Sequence, residues 1–364
     1  MVSVERSPSS SPMPARAFEM NLQQLLKMRW RCSWSKAWAQ ARWHAVLLVL
    51  GASVLGGWAT TNQYGEIDFT VPNGFELKRG PDSASFLYNR SDTTVPVHYQ
   101  QVFSASAFKE FPPGGAFIFD IADRAFCDNV KDFIASNVVL RLSTTQLGPD
   151  QLSKVFAQNP GFDEIVVANH PTLRINGEGS RCPLISAADS YFGLETPFFY
   201  NPAKGNLLLD LRVSSESRNA TFPQTPRARD AVSLTGDSVS SVYALSLTKT
   251  EAEVVDTTGL IFQFRSVGLP ELRASHQTNT VMILWGYVLA GFKLQWSESA
   301  AVPGSWVDYP GTIDTIYGQG YGVFLPDKNL DRKRFFRLFW NTPQPGVPSP
   351  KVRVVTPAEL EQTR

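Results

Sequence analysis

Gly236-Asp237-Ser238, within "LTGDSVSSVYALSL", is the tripeptide in which one class of ester hydrolases carries its nucleophile. A serine used that way needs an imidazole to take its proton and N–H donors for the oxyanion. Outside the N-terminal segment the chain offers His98, His170 and His276. Only His276 follows the motif, and Arg273 stands three residues before it, where a late Asp would be expected. The residue types favour a tight turn at Gly236-Asp237 that leads Ser238 into a strand. No catalytic residue is assigned, and the expectation is a protein that is not an enzyme.

Carboxylates suggest other chemistry. Glycoside hydrolysis needs two carboxyls facing each other across a cleft, roughly 5–9 Å apart. Asp120, Glu164, Glu195 and Asp210 lie in strand-like runs, but nothing in the linear order pairs them. "DIADRAFCDN" presents Asp120, Asp123 and Asp128, without the Asp-x-Asp-x-Asp-Gly order of an EF-hand loop. A structural Ca²⁺ is the one ion this grouping suggests; no cofactor is expected, and no residue is assigned as a metal ligand. Each histidine is isolated, with no second ligand at metal-binding spacing. "RINGEGSR" has glycines but no phosphate-loop lysine, and reads as a hairpin turn.

Aromatic residues offer binding instead. Trp285, Trp296, Tyr309, Tyr317 and Tyr321 fall in one short turn-rich stretch. Exposed rings there would give apolar area for the C–H face of a sugar. Burial in a small core is the competing reading, and Trp306 is expected to be core.

Positioning such groups is the task of the rest of the chain. Of 34 basic and 33 acidic residues, seven basic and two acidic ones fall within 1–59, leaving a weakly acidic body of net −4. That body has no electrostatic footprint for nucleic acid. The basic segment is followed by the apolar run Ala45–Ala59, shorter than the roughly 20 residues of a membrane span and suited to a signal peptide. Gly57 and Ala59 are small residues fit for cleavage after Ala59, and Met20 or Met28 is an alternative start. An uncleaved anchor is the second reading, and it would be the only membrane contact. Export suits the cysteines: with Cys32 in the leader, Cys127 and Cys182 remain. A bridge between them would close a loop of about 55 residues, worth perhaps 3–4 kcal/mol. Two buried thiols are the equal alternative.

Past the leader the chain reads as short strands separated by Gly, Pro, Asn and Ser turns: "VPVHYQQVF", "GAFIFDI", "NVVLRLSTT", "NLLLDLRV", "SVYALSL" and "LIFQF". "GPDQLSKVFAQNPG" has Leu152, Val155 and Phe156 at helical spacing and predicts one short helix. From Gly268 a second strand-rich unit begins. Tryptophan marks the boundary, since four of the nine lie at 285–340, five lie in the leader and none falls between. The expected fold is all-β: a large antiparallel, jelly-roll-like sandwich (60–266) and a small Ig-like sandwich (267–340), after a leader (1–59) and before a flexible tail (341–364).

The segments "FTVPNGFELKRG", "VHYQQVFSASAF", "LRLSTTQLGPDQLSKVFAQNPGFDEIVV", "FFYNPAKGNLLLDLRV" and "DSVSSVYA…VDTTGLIFQF" resemble, in that order, a secreted β-sandwich domain found in PEP-CTERM-type exported bacterial proteins. "FKLQWSESAAVPGSWVDYP…RFFRLFW" is similar to a small C-terminal β module of bacterial extracellular proteins. The resemblance implies a secreted or cell-surface bacterial protein and brings no catalytic residue; the hydrophilic C-terminus departs from it in lacking a sorting motif. Together these features lead us to expect a non-enzymatic structural, surface or adhesion protein. Polysaccharide or other extracellular proteins are its expected partners. A carbohydrate-binding protein is the alternative, and a secreted esterase or glycosidase the second.

Overall fold

A computed structural model describes residues 60–61, 66–84, 96–124, 126, 133–175, 190–217, 229–277, 280–286, 289, 292–299, 302, 304–316, 320–326, 335–347 and 351–354. They form an all-β, sandwich-like fold of several open sheets, antiparallel at all but one strand pair. The leader, Cys127, Cys182, Asp128 and Tyr317 lie outside the described residues. No helix among the described residues is long and apolar enough to cross a membrane.

Two sheets make the large sandwich. One has Phe262–Gly268 at its centre, between Glu66–Val71 and Ala116–Asp123, with Phe198–Tyr200 added to the latter. The other runs Phe133–Thr145, Asn206–Val213, Val97–Phe103, Val239–Ala244, with Ile165–Ile175 along the outer side of Phe133–Thr145. Period-two alternation explains the packing. In "NLLLDLRV", Leu207, Leu209 and Leu211 enter the main core while Leu208 and Asp210 point the other way. Phe108 sits in that core with its ring edge-to-face against Phe69, Phe264 and Tyr200, at 4.8–5.5 Å between centroids. Such pairs add about 0.5–1.5 kcal/mol each beyond the area they bury.

All seven residues of Val97–Phe103 are buried, so both faces of this strand are covered. The covering element is the segment read from sequence as a helix. It is not helical apart from a single 3-10 turn, Phe156–Gln158. Asp150 takes a left-handed backbone (φ 62°) that an α-helix cannot continue. The backbone hydrogen bonds then go sideways, from Phe156 N to Thr250 O and from Ala252 N to Lys154 O. Leu152 and Phe156 pack on Val102, Leu208, Val242 and Ala244, sealing the outer face of the sheet.

The small sandwich has a five-stranded sheet around Thr280–Trp285 and a three-stranded sheet around Phe292–Ser297. Leu272, Ile283, Leu294, Phe336 and Leu338 are buried in it. Its contact with the large sandwich is aromatic: Phe117 meets Trp340 at 4.6 Å and Phe292 at 5.5 Å, both edge-to-face. The expected flexible tail is in part structured. Gln344 is 4% exposed, accepts a hydrogen bond from Phe199 N and donates one to Phe199 O, each at 2.6 Å. Lys351–Val354 adds a parallel strand to Glu271–Gln277. The Pro-rich composition hid these bonds because a glutamine amide can satisfy a strand edge without strand periodicity.

Candidate functional site

The sealing segment does more than cover the sheet. Asn159 holds it in a closed loop, accepting from Ser153 N (2.8 Å) and donating to Ser153 O (2.9 Å). The same amide donates to Gln100 Oε1 at 2.8 Å, and Gln100 Nε2 donates to Asp210 Oδ2 at 2.6 Å. His98 Nε2 lies 2.9 Å from that carboxylate oxygen, and Phe156 stacks on the imidazole at 3.8 Å. Arg212 Nε donates to the other oxygen, at 3.1 Å. A buried polar chain thus anchors the loop to two neighbouring strands, Val97–Phe103 and Asn206–Val213.

Beyond Asn159 the loop turns sharply. Asp163 accepts from both the backbone N and the hydroxyl of Thr144, each at 2.7 Å. Gly161 approaches the same residue so closely that a Cβ would lie 1.7 Å from Thr144 O. Pinned on both sides, Phe162 projects outward with 86% of its surface exposed. It forms the rim of a cleft of about 390 Å³ whose walls also come from 144–147, Phe199, Asn201, Lys204 and 344–346. That volume falls in the roughly 300–1,000 Å³ range of small-ligand sites. Gln146 Nε2 donates to Lys204 O across it at 2.8 Å, fixing two walls to each other. Gly161→Ala is expected to destabilise the protein by about 1–3 kcal/mol by forcing the loop off Thr144, read as a lower urea midpoint.

The carboxylates beneath the loop differ in character. Burial pushes the Asp210 carboxyl up, but hydrogen bonds and charge from His98, with Gln100 and Arg212, outweigh it and hold the group below its ordinary value of 3.8. For Glu164 burial prevails and the neighbouring Asp210 charge adds to it, so its carboxyl is raised despite Arg141 at 4.0 Å. The depressed Asp210 value sets a sign: the folded state binds its proton less readily than the unfolded one. Its contribution is complete above pH 3.8 and lost as pH falls through the folded value. Asp210→Asn is therefore expected to flatten the acid limb of the stability–pH curve below about pH 4, as measured by urea titration at stepped pH.

The residues singled out from sequence do not converge. Ser238 follows a turn in which Gly236 has φ 80° and Asp237 caps Val239 N. Among the described residues no imidazole bonds to its hydroxyl: His98 is engaged by Asp210, and His170 by Phe192 O and Gly193 O. His276 sits on a strand of the small sandwich. Among the described residues the expected aromatic platform is not assembled. Trp285 is buried (4% exposed), and Trp296 lies on the same sheet face as the buried Leu294 and Phe336, with Tyr309 packed on Phe336. Tyr321 is placed only as the register partner of Trp285. Trp306, expected in the core, instead lies beneath the Arg337 guanidinium at 4.4 Å, half-buried.

Of the four candidate acids, Glu164 and Asp210 become neighbours, Glu195 pairs with His170, and Asp120 accepts from Ile121 N and Gly193 N on the other sheet. Asp123, from the grouping that suggested calcium, is buried against the Arg229 guanidinium. Among the described residues no three His, Cys, Asp or Glu side chains are grouped to hold a metal. Phe162 was overlooked in "NPGFDE", although a large apolar residue between turn formers is a recognisable signal of an exposed ring. No protein-family model matches the chain, and no curated protein is similar to it.

Proposed function

We propose that this is an exported, non-enzymatic surface or adhesion protein that binds polysaccharide through the cleft rimmed by Phe162. One observation carries the reading: a bare aromatic ring is held rigidly at the mouth of a concave site whose walls are braced by side-chain amides. A single exposed ring is ordinary on a protein surface, but this one borders a concave site of ligand size, and a ring face is suited to the C–H face of a pyranose. The leader and the resemblance to secreted sandwich domains support export to the bacterial surface. The single carboxylate lining the cleft, Asp163, has both oxygens engaged by Thr144, which favours holding a ligand over cleaving it. The His98–Asp210 pair, buried under Phe156, acts in this reading as a brace.

Phe162→Ala tests it. Because the ring is exposed, stability should move by no more than about 0.5 kcal/mol, while retention on polysaccharide columns falls at least tenfold. Unchanged retention, or no retention of the parent protein on any acidic or neutral polymer, would remove the reading.

A further inference from the structure

We infer that the cleft selects an acidic saccharide, a chain of sugar rings bearing carboxylates such as a hexuronate oligomer. This rests on the polysaccharide reading above and adds the charge of the ligand to it. The argument comes from which polar groups in the walls are already used. Asp163 spends both oxygens on Thr144, and Gln344 spends its whole amide on Phe199. Asn201 uses Oδ1 to accept from Ala203 N, and Gln158 uses Oε1 to accept from Ser153 Oγ. What remains unengaged among the described residues is the Asn201 Nδ2 donor, the Gln158 Nε2 donor and the exposed Lys204 ammonium, with Gln146 Oε1 as an acceptor.

Lys204 decides the class. It has no carboxylate within 4.0 Å among the described residues, and its backbone is fixed by the turn Pro202–Lys204 and by Gln146. Among the side chains, three donor groups, one of them cationic, against one free acceptor favour a ligand rich in acceptors and negatively charged. The Phe162 ring adds a requirement for an apolar face, which inorganic anions lack. Hydroxyl groups on the same ligand can satisfy the Gln146 oxygen. A carboxylated pyranose meets all of these conditions together; a neutral sugar can accept from the ammonium through its hydroxyls but leaves the charge unmatched.

Calorimetric titration of the full chain with trigalacturonate, maltotriose and sodium sulfate tests this. Trigalacturonate should bind at least tenfold more tightly than maltotriose, and the preference should shrink as salt is raised from 0.05 to 0.5 M, since the charge is solvent-exposed. Lys204→Met should abolish the preference, bringing trigalacturonate affinity down to that of maltotriose; Phe162→Ala should weaken both sugars. Equal affinity for the two sugars, a preference that survives Lys204→Met, or sulfate matching trigalacturonate would overturn the acidic-ligand inference. In those cases Phe162-dependent sugar binding would still uphold the cleft as the site. Sugar binding indifferent to Phe162→Ala would remove both.

Discussion

Replacing Asp123 with alanine is expected to destabilise the large sandwich by about 3–5 kcal/mol, among the largest effects available in this chain. Asp123 and Arg229 are both fully buried and joined through two guanidinium nitrogens, Nε at 2.9 Å and Nη2. The adjacent residues repeat the pairing in reverse: Arg124 donates from Nε to Asp230 at 2.7 Å. Two dipeptides, Asp123-Arg124 and Arg229-Asp230, thus clasp each other where Ala116–Asp123 ends and Arg229–Ser233 begins. Arg124 also donates to Phe75 O and Lys78 O, and Asp230 accepts from Gly80 N, so the clasp orders the 75–80 turn. Removing one carboxylate strands a guanidinium where water cannot reach it, and that cost exceeds the worth of the pair itself. The double variant Asp123→Leu/Arg229→Met should recover most of the loss. Urea unfolding of the single and double variants measures both; a single variant within 1 kcal/mol of the parent would contradict the account.

Phe117→Ala is expected to cost about 3–5 kcal/mol and to loosen the small sandwich from the large one. The ring is buried between Phe199 on its own side and Phe292 and Trp340 on the other. Deleting it leaves a cavity in the joint itself, so the loss should appear as a second, earlier unfolding transition and as new proteolytic cutting between 268 and 292. The proposed polysaccharide binding should weaken too, because 344–346 supply one wall of the cleft. A single transition with undiminished binding would show that the two sandwiches dock by other contacts.

The strand pattern was legible because alternation is local. "NLLLDLRV" and "LIFQF" contain their own instructions, and Gly236 announces its turn. The segment 148–159 misled for a physical reason. A loop lying on a sheet also needs apolar residues a few positions apart, and Leu152 and Phe156 meet that need without helical hydrogen bonds. The clasp was invisible because its partners are 106 residues apart. The cleft was invisible because its walls come from four separate stretches, one of them in the presumed tail. Tryptophan content did not reveal which rings reach the surface: Trp285 is inside, and Trp306 is tied to Arg337.

Gln344 fills the open side of Phe198–Tyr200, taking the place a neighbouring strand would occupy. The seam between the sandwiches and the ligand's seat therefore share one side chain's grip. If the cleft holds the polymer proposed above, reciprocity makes that polymer resist parting of the seam, and prying the seam apart expels it. On that proposal, mechanical load on the small sandwich and occupancy by a polymer become two readings of the same equilibrium.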